Sequence, residues 1–194
     1  MQDRYGSFSE LARHEVEGVD YRVTLLDRPH SPVVVLAPHG GLIEIGTSEL
    51  AARVAADEHS LFSFEGMKPR GRNRDLHVTS HRFDHPACVR LTERRSVALA
   101  IHGCIGESAI FLGGRDTRLV ERLSAELMRA GFAPCTQGHR YPGRVASNIC
   151  NRTARGCGGQ LELTLDLRLA ADQGLLSAAI RTALAAHIAE LDGP

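Results

Sequence analysis

Apolar and polar positions along this chain fall into short blocks of two different periods, and the blocks alternate. Residues 20–26 (DYRVTLL) alternate at Tyr21, Val23 and Leu25, which predicts a strand, and Pro29 and Pro32 mark the turn into the next one. Residues 33–38 are apolar throughout, as in a strand buried on both faces. Gly46, Thr47 and Ser48 offer cap chemistry, Glu49 lies near the positive helix end, and LAARVAADEH continues as a helix. SLFSFEG and LHVTS read as two short strands, and residues 97–101 form another apolar run. Asp116 or Thr117 caps a predicted helix with Leu119, Val120, Leu123, Leu127 and Met128 on one face, closed by Gly131. QLELTLDL alternates strictly, which predicts a strand with Gln160, Glu162, Thr164 and Asp166 on one side. A last helix near SAAIRTALAAHIAEL covers the sheet. Strands and helices alternate without a linker or a repeat, so the pattern predicts a single α/β domain over residues 1–194.

Composition narrows the function classes. A chain of 194 residues buries about 70% of its unfolded surface without staples. Basic and acidic residues both number 23, so no overall field draws the protein to nucleic acid or to a membrane, and an acidic ligand must be held by local arginines. Lys68 is the sole lysine, a bias that carries no functional reading. Five cysteines (Cys88, Cys104, Cys135, Cys150, Cys157) form no C-x-x-C pair and read as reduced thiols. The opening MQDRYGSFSELARHE lacks the apolar core of a secretory signal. The cytoplasm is therefore the expected compartment, with release by host lysis if the product is prophage-encoded.

Two apolar runs end in the same way. VVVLAPHGGLIE stops at His39, followed by two glycines and Glu44, and SVALAIHGC stops at His102, followed by Gly103. A single histidine after an apolar run is commonly a hydrogen-bonded core residue. Two of them at strand ends, where open α/β sheets place their ligands, point instead to a metal site. With Glu44 they supply the two nitrogens and one carboxylate of a catalytic Zn2+ centre that keeps one position open. Glu49 is a rival to Glu44.

HGGLIEIGTSE, LHVTSHRFDHP, IHGC, FLGGRD and NICNRTARGCGGQLEL occur in that order between about Asp20 and Leu167. Together these blocks resemble the poly-γ-glutamate hydrolase family of phages and bacilli, a branch of zinc hydrolases with a carboxypeptidase-like fold. The resemblance implies a three-layer αβα sandwich around a mixed sheet. It also implies Zn2+ held by His39, Glu44 and His102, and Glu162 as the catalytic carboxylate. The sequence departs from the wider carboxypeptidase group in spacing its first ligands by four residues rather than as H-x-x-E. Leu42 also stands where a more glycine-rich first block is expected.

On periodicity alone Glu162 either faces the cleft or faces water, and the resemblance favours the cleft. An acidic peptide or polymer substrate calls for planar guanidinium groups, and Arg82 in SHRFD and Arg152 in NICNR are the expected substrate contacts. Gly113 and Gly114 lack the lysine and the spacing of a phosphate loop and read as a tight turn. Cys104, two residues from His102, has no evident orienting partner for a cysteine nucleophile. The expected activity is zinc-dependent hydrolysis of γ-glutamyl amide bonds. The alternatives are a deacylase of small N-acyl amino acids, similar to aspartoacylase, and a phage accessory protein that binds without catalysis.

Overall fold

The structure is a computed structural model that describes residues 3–170 and 173–191. Its middle layer is a seven-stranded mixed sheet in the order β1-β3-β2-β4-β7-β5-β6. The strands are β1 (Tyr21–Leu26), β2 (Val33–Gly41), β3 (Ser60–Gly66), β4 (Val97–Cys104), β5 (Ile110–Gly114), β6 (Pro134–Cys135) and β7 (Gly159–Thr164). β3, β2, β4 and β7 run parallel, while β1 and β5 pair antiparallel at the flanks. The four parallel strands therefore present their carboxyl ends along one edge.

Helices α2 (Thr47–Ala55), α4 (Thr117–Arg129) and α6 (Gln173–Leu191) cover one face. They pack with Val33, Val35, Leu99, Ile101, Leu161 and Leu163 into one core. On the other face α1 (Phe8–Leu11), α3 (Pro86–Glu93) and the 3-10 turns Asn73–Leu76 and Ile149–Asn151 enclose Val34, Leu36, Phe62, Phe64, Ala98 and Ala100. The result is a single-domain, three-layer α/β sandwich. α6 is long and apolar enough by composition to cross a membrane, yet Leu176, Ile180, Ala183 and Leu184 are buried against the sheet. Lys68 is buried in an ion pair with Glu15, which also accepts from Tyr5 Oη at 2.5 Å, so the N-terminal segment is stapled to the body.

Several elements differ from the sequence expectation. LHVTS is not a strand: Leu76 closes a 3-10 turn, and Asp3 accepts hydrogen bonds from Thr79 N and Oγ1, which holds the segment outside the sheet. QLELTLDL is a strand only to Thr164. It then turns into α5 (Leu165–Leu169), because Asp166 accepts from Ser108 N and Oγ and leaves the sheet. Gly113 and Gly114 lie inside β5 rather than in a turn, and a Cβ on Gly114 would stand 2.1 Å from Gly158 O. Met128 is 58% exposed, past the edge of the buried face of α4. Asp116 is the cap of α4, accepting from Leu119 N at 3.1 Å. Thr47 and Ser48 do not cap α2. Thr47 Oγ1 donates to Glu44 O at 2.8 Å and Ser48 Oγ accepts from Gly41 N at 2.8 Å, so both hold the loop before the helix. α2 also ends at Ala55, short of the predicted LAARVAADEH, where Ala56 turns to a positive φ of 43°.

Candidate metal centre and active site

A break in alternation brings the two strand-end histidines together. Along β2, Val33, Val35 and Ala37 face the α2 side while Val34 and Leu36 face the other. Strict alternation would send His39 to the α2 side. The β2–β3 register, however, gains one residue between Ala37 and Gly40, a bulge that re-aims the side chain. His39 then meets His102, which shares a face of β4 with Ala98 and Ala100. Gly40 lies in this bend, where a Cβ would meet Ser48 Oγ at 2.2 Å.

Three donors converge there. His39 Nδ1 is 3.2 Å from His102 Nδ1 and 3.4 Å from Glu44 Oε1, and His102 Nδ1 is 3.9 Å from Glu44 Oε2. Two ligands bonded at 2.0–2.1 Å to one tetrahedral zinc stand about 3.4 Å apart. The residues present thus fit that ion in donor type and in spacing. The outer nitrogens are also engaged: His39 Nε2 lies 2.8 Å from Val78 O, and His102 Nε2 lies 3.3 Å from Ser80 Oγ. Such partners fix the tautomer and ring angle of a metal-binding histidine. Gly103 N donates to Glu44 Oε2 at 2.7 Å, which pins the carboxylate of a four-residue loop to the second histidine strand.

Electrostatics tells the same story from another side. Burial alone would raise the Glu44 carboxyl, but the imidazoles of His39 and His102 and the Gly103 N–H hold it down at about 2. Burial lowers His102 to about 3, helped by the charge on His39. Burial also disfavours a proton on His39, yet the Glu44 carboxylate overrides it and raises the group. A cation seated among these atoms would relieve the same attraction as that proton.

The sequence reading missed one histidine of this cluster. His77, at the end of a 3-10 turn, stacks on His39 with ring centroids 4.0 Å apart and brings Nε2 to 4.0 Å from Glu44 Oε1. Its nitrogen, with His39 and Glu44, belongs to a group of donor atoms within 4.8 Å of one another. Asp3 Oδ1 accepts from His77 Nδ1 at 2.7 Å and aims the ring. No apolar strand announces His77, and its place in the block LHVTSHRFDHP was the one signal that could have drawn attention to it. Glu49, the rival to Glu44, is exposed on the first turn of α2 and lies outside the cluster.

Glu162 sits directly beside this cluster. In the parallel pairing of β4 and β7 it is the register partner of His102, so both side chains leave the same face. It is 9% exposed, and burial together with the charge of Glu44 pushes its carboxyl well above the usual range, opposed by Arg168 and Arg140. Gln160 Nε2 donates to Glu162 Oε1 at 3.3 Å, and Asn148 Nδ2 donates to Gln160 Oε1 at 3.0 Å. This chain fixes which end of the Gln160 amide faces the glutamate.

The arginines expected to hold substrate are placed differently. Arg82 is exposed, two residues beyond Ser80, in the loop that borders His102. Arg152 is not brought to the site. It pairs with Glu93 at 3.1 Å near the start of β4, at the opposite end of the sheet. The two cations whose charge bears on Glu162 are Arg168 and Arg140. Arg168 is buried behind Gly103, where it donates to Leu163 O and Ile45 O and so ties the Glu44 loop to the Glu162 strand. Burial pushes the Cys104 thiol up to about 11, which leaves little thiolate near neutral pH for a cysteine nucleophile.

Residues 5–182 match the poly-gamma-glutamate hydrolase family. The chain belongs to that family. Among its relatives, the UPF0714 protein YndL of Bacillus subtilis (strain 168) is 37% identical over 170 residues, covering 86% of this chain and 66% of YndL. The chain spans between 60% and 71% of the length of the curated relatives it matches. Among solved structures, a bacteriophage poly-gamma-glutamate hydrolase superposes with a TM-score of 0.91 at 30% identity, covering 97% of this chain and 99% of that one. The zinc-free apo form of YndL superposes with a TM-score of 0.87 at 32% identity, covering 95% and 98%. A protein assigned as carboxypeptidase A from Shewanella denitrificans OS-217 shares the fold alone, with a TM-score of 0.53 at 16% identity over 88% of this chain and 61% of that one.

Proposed function

We propose that this protein is a zinc-dependent hydrolase of γ-glutamyl amide bonds, with His39, Glu44 and His102 as metal ligands and Glu162 as general base and acid. The observation that carries the reading is the convergence of two Nδ1 atoms and a carboxylate at 3.2 to 3.9 Å beside a buried glutamate on the neighbouring strand. Family membership, the bacteriophage hydrolase and the zinc-free form of YndL support it. When bound, zinc supplies a Lewis acid that polarises the scissile carbonyl and acidifies the attacking water.

The remaining steps fall to the side chains. Glu162 takes a proton from the water as its oxygen attacks the carbonyl carbon, and passes that proton to the amine nitrogen as the C–N bond breaks. A carboxyl raised by burial suits both halves of this exchange, because its two protonation states lie closer in energy near neutral pH. Gln160 and Asn148 keep the Glu162 carboxylate turned toward the reacting atoms. Arg82, exposed two residues beyond Ser80, is one of the groups available to a substrate carboxylate.

Metal analysis and turnover test the reading together. Protein purified without added metal should carry close to one zinc per chain and release products from poly-γ-glutamate. Product from small N-acyl amino acids alone would overturn the polymer assignment. A metal-free protein that is inert toward both, even after zinc is supplied, would overturn the enzyme assignment.

A further inference from the structure

The loop over Glu162 is built rather than draped. His139 Nε2 lies 3.0 Å from Leu112 O, and Gln160 Nε2, which donates to Glu162, also donates to Tyr141 O at 3.3 Å. Glycines make room for this closeness. A Cβ on Gly113 would meet Tyr141 O at 2.6 Å, and one on Gly143, where φ is +60°, would meet the Gln160 side chain at 2.5 Å. One amide nitrogen thus bridges the Glu162 carboxylate and the backbone of residue 141, and the residue before it is near enough for its charge to act on Glu162.

That residue is Arg140. Its Nε donates to Tyr141 Oη at 2.9 Å, and its guanidinium carbon lies 5.1 Å from the Tyr141 ring centroid, a cation held on an aromatic face. Phe111 backs the same ring at 5.4 Å. The arrangement fixes the plane of the guanidinium and leaves both terminal nitrogens without a partner among the described residues. Arg140 is exposed and makes no ion pair there, unlike Arg152, which is occupied by Glu93.

The chemistry of a γ-linked chain supplies a use. In such a chain the scissile nitrogen is carried by a Cα that also bears a free carboxylate, so an anion lies one carbon from the atom that Glu162 must protonate. In an α-linked chain only the terminal residue has that anion. We propose that Arg140, held on Tyr141, binds the α-carboxylate of the residue on the amine side of the scissile bond. This deepens the γ-glutamyl hydrolase reading and rests on it. It makes Arg140 a specificity residue that reads γ-linkage at internal positions of a polymer.

The test compares two synthetic γ-glutamyl oligomers that differ only in the amine-side residue, one bearing the α-carboxylate and the other an α-carboxamide. Wild-type protein should prefer the carboxylate by about 10- to 150-fold in kcat/KM, the range expected for one charge-assisted contact. Arg140→Ala should lose most of that preference, chiefly through KM, while keeping zinc content and melting temperature. Arg140→Lys should restore part of it, because a point charge replaces the planar fork. A preference that persists in Arg140→Ala, or that vanishes instead in Arg82→Ala, would overturn the assignment. Failure of the wild type to cleave either oligomer would sink the hydrolase reading itself, which separates the two outcomes.

Discussion

Glu162 is buried and Glu44 partly buried in one site, yet their surroundings drive their proton affinities apart. Imidazoles and a backbone N–H hold Glu44 at about 2, while burial and the charge of Glu44 raise Glu162. Carboxylates split in this way take different roles, one a permanent anion and the other a carrier of protons. Glu162→Gln keeps shape but cannot take a proton. It should retain zinc and lose about 10²- to 10⁴-fold in turnover. His39→Ala, Glu44→Ala and His102→Ala should instead lose zinc and activity together, because two protein ligands hold the ion poorly. Zinc stoichiometry measured beside turnover separates the classes: a metal-free Glu162→Gln would make Glu162 a ligand, and full zinc in Glu44→Ala would remove Glu44 from the site. Arg152→Ala should leave kinetics unchanged, since its partner Glu93 lies at the far end of the sheet. A raised KM in that variant would contradict this placement.

At the scale of elements, the site depends on how β5, β7 and the 139–143 loop stack. Gly113 leaves no side chain between β5 and the loop, where Tyr141 O and Pro142 O both lie under 3 Å from a notional Cβ. Gly113→Val should lift the loop away from Gln160 and Glu162. The expected result is a fall in kcat/KM of at least about 10-fold with zinc retained, since small misplacements near the chemistry weigh heavily on rate. Unchanged kinetics in a folded Gly113→Val would show that the loop does not shape the cleft. Gln160→Leu is the parallel test for β7. It removes the donor to Glu162 Oε1 without altering the metal ligands, so it should lower kcat more than it raises KM.

A network remote from the cleft should make the stability of the whole molecule depend on pH. Burial would raise the Asp116 carboxyl, but hydrogen bonds from His187 and Leu119 N and the charge of Arg155 at 2.7 Å hold it well below the usual range. These contacts tie α4 to α6 and to the 155–157 loop. A carboxyl depressed in the folded state stabilises above its unfolded pKa of about 3.9, and the contribution fades as pH falls through the lower folded value. Asp116→Asn keeps a cap acceptor but loses the charge. It should cost about 1.5 to 3 kcal/mol at pH 7, or about 3 to 12 °C in Tm. The gap to wild type should close as the pH is taken from 5 toward 2, and a gap that stays constant would assign the loss to packing instead. Zinc should act through the same fold: at about 100 times its Kd it adds about 2.7 kcal/mol, and Tm should rise in wild type and stay unmoved in His102→Ala.

Periodicity and end signals in the chain by themselves determined that it is a single α/β domain, which apolar runs form the central strands, and that His39 and His102 stand where two of them stop. These features are local, because alternation, capping and helical spacing are written within a few residues of where they act. Glu44 was an expected ligand because it follows His39 on the same loop, whereas the role expected of Glu162 rested on a resemblance across ordered blocks, since a lone glutamate on a strand carries no local mark of its partner. Only tertiary structure decided the rest. Strict alternation would turn His39 away from His102, and the bulge at Pro38–His39 that reverses it is visible only in the register with β3. His77 enters the cluster because Asp3, 74 residues away in the chain, holds its ring. Arg152 is held away from the site by Glu93, while Gly113 and Gln160 seat the loop that carries Arg140 beside the Glu162 strand. Contacts between residues so distant in the chain depend on packing that no local pattern encodes.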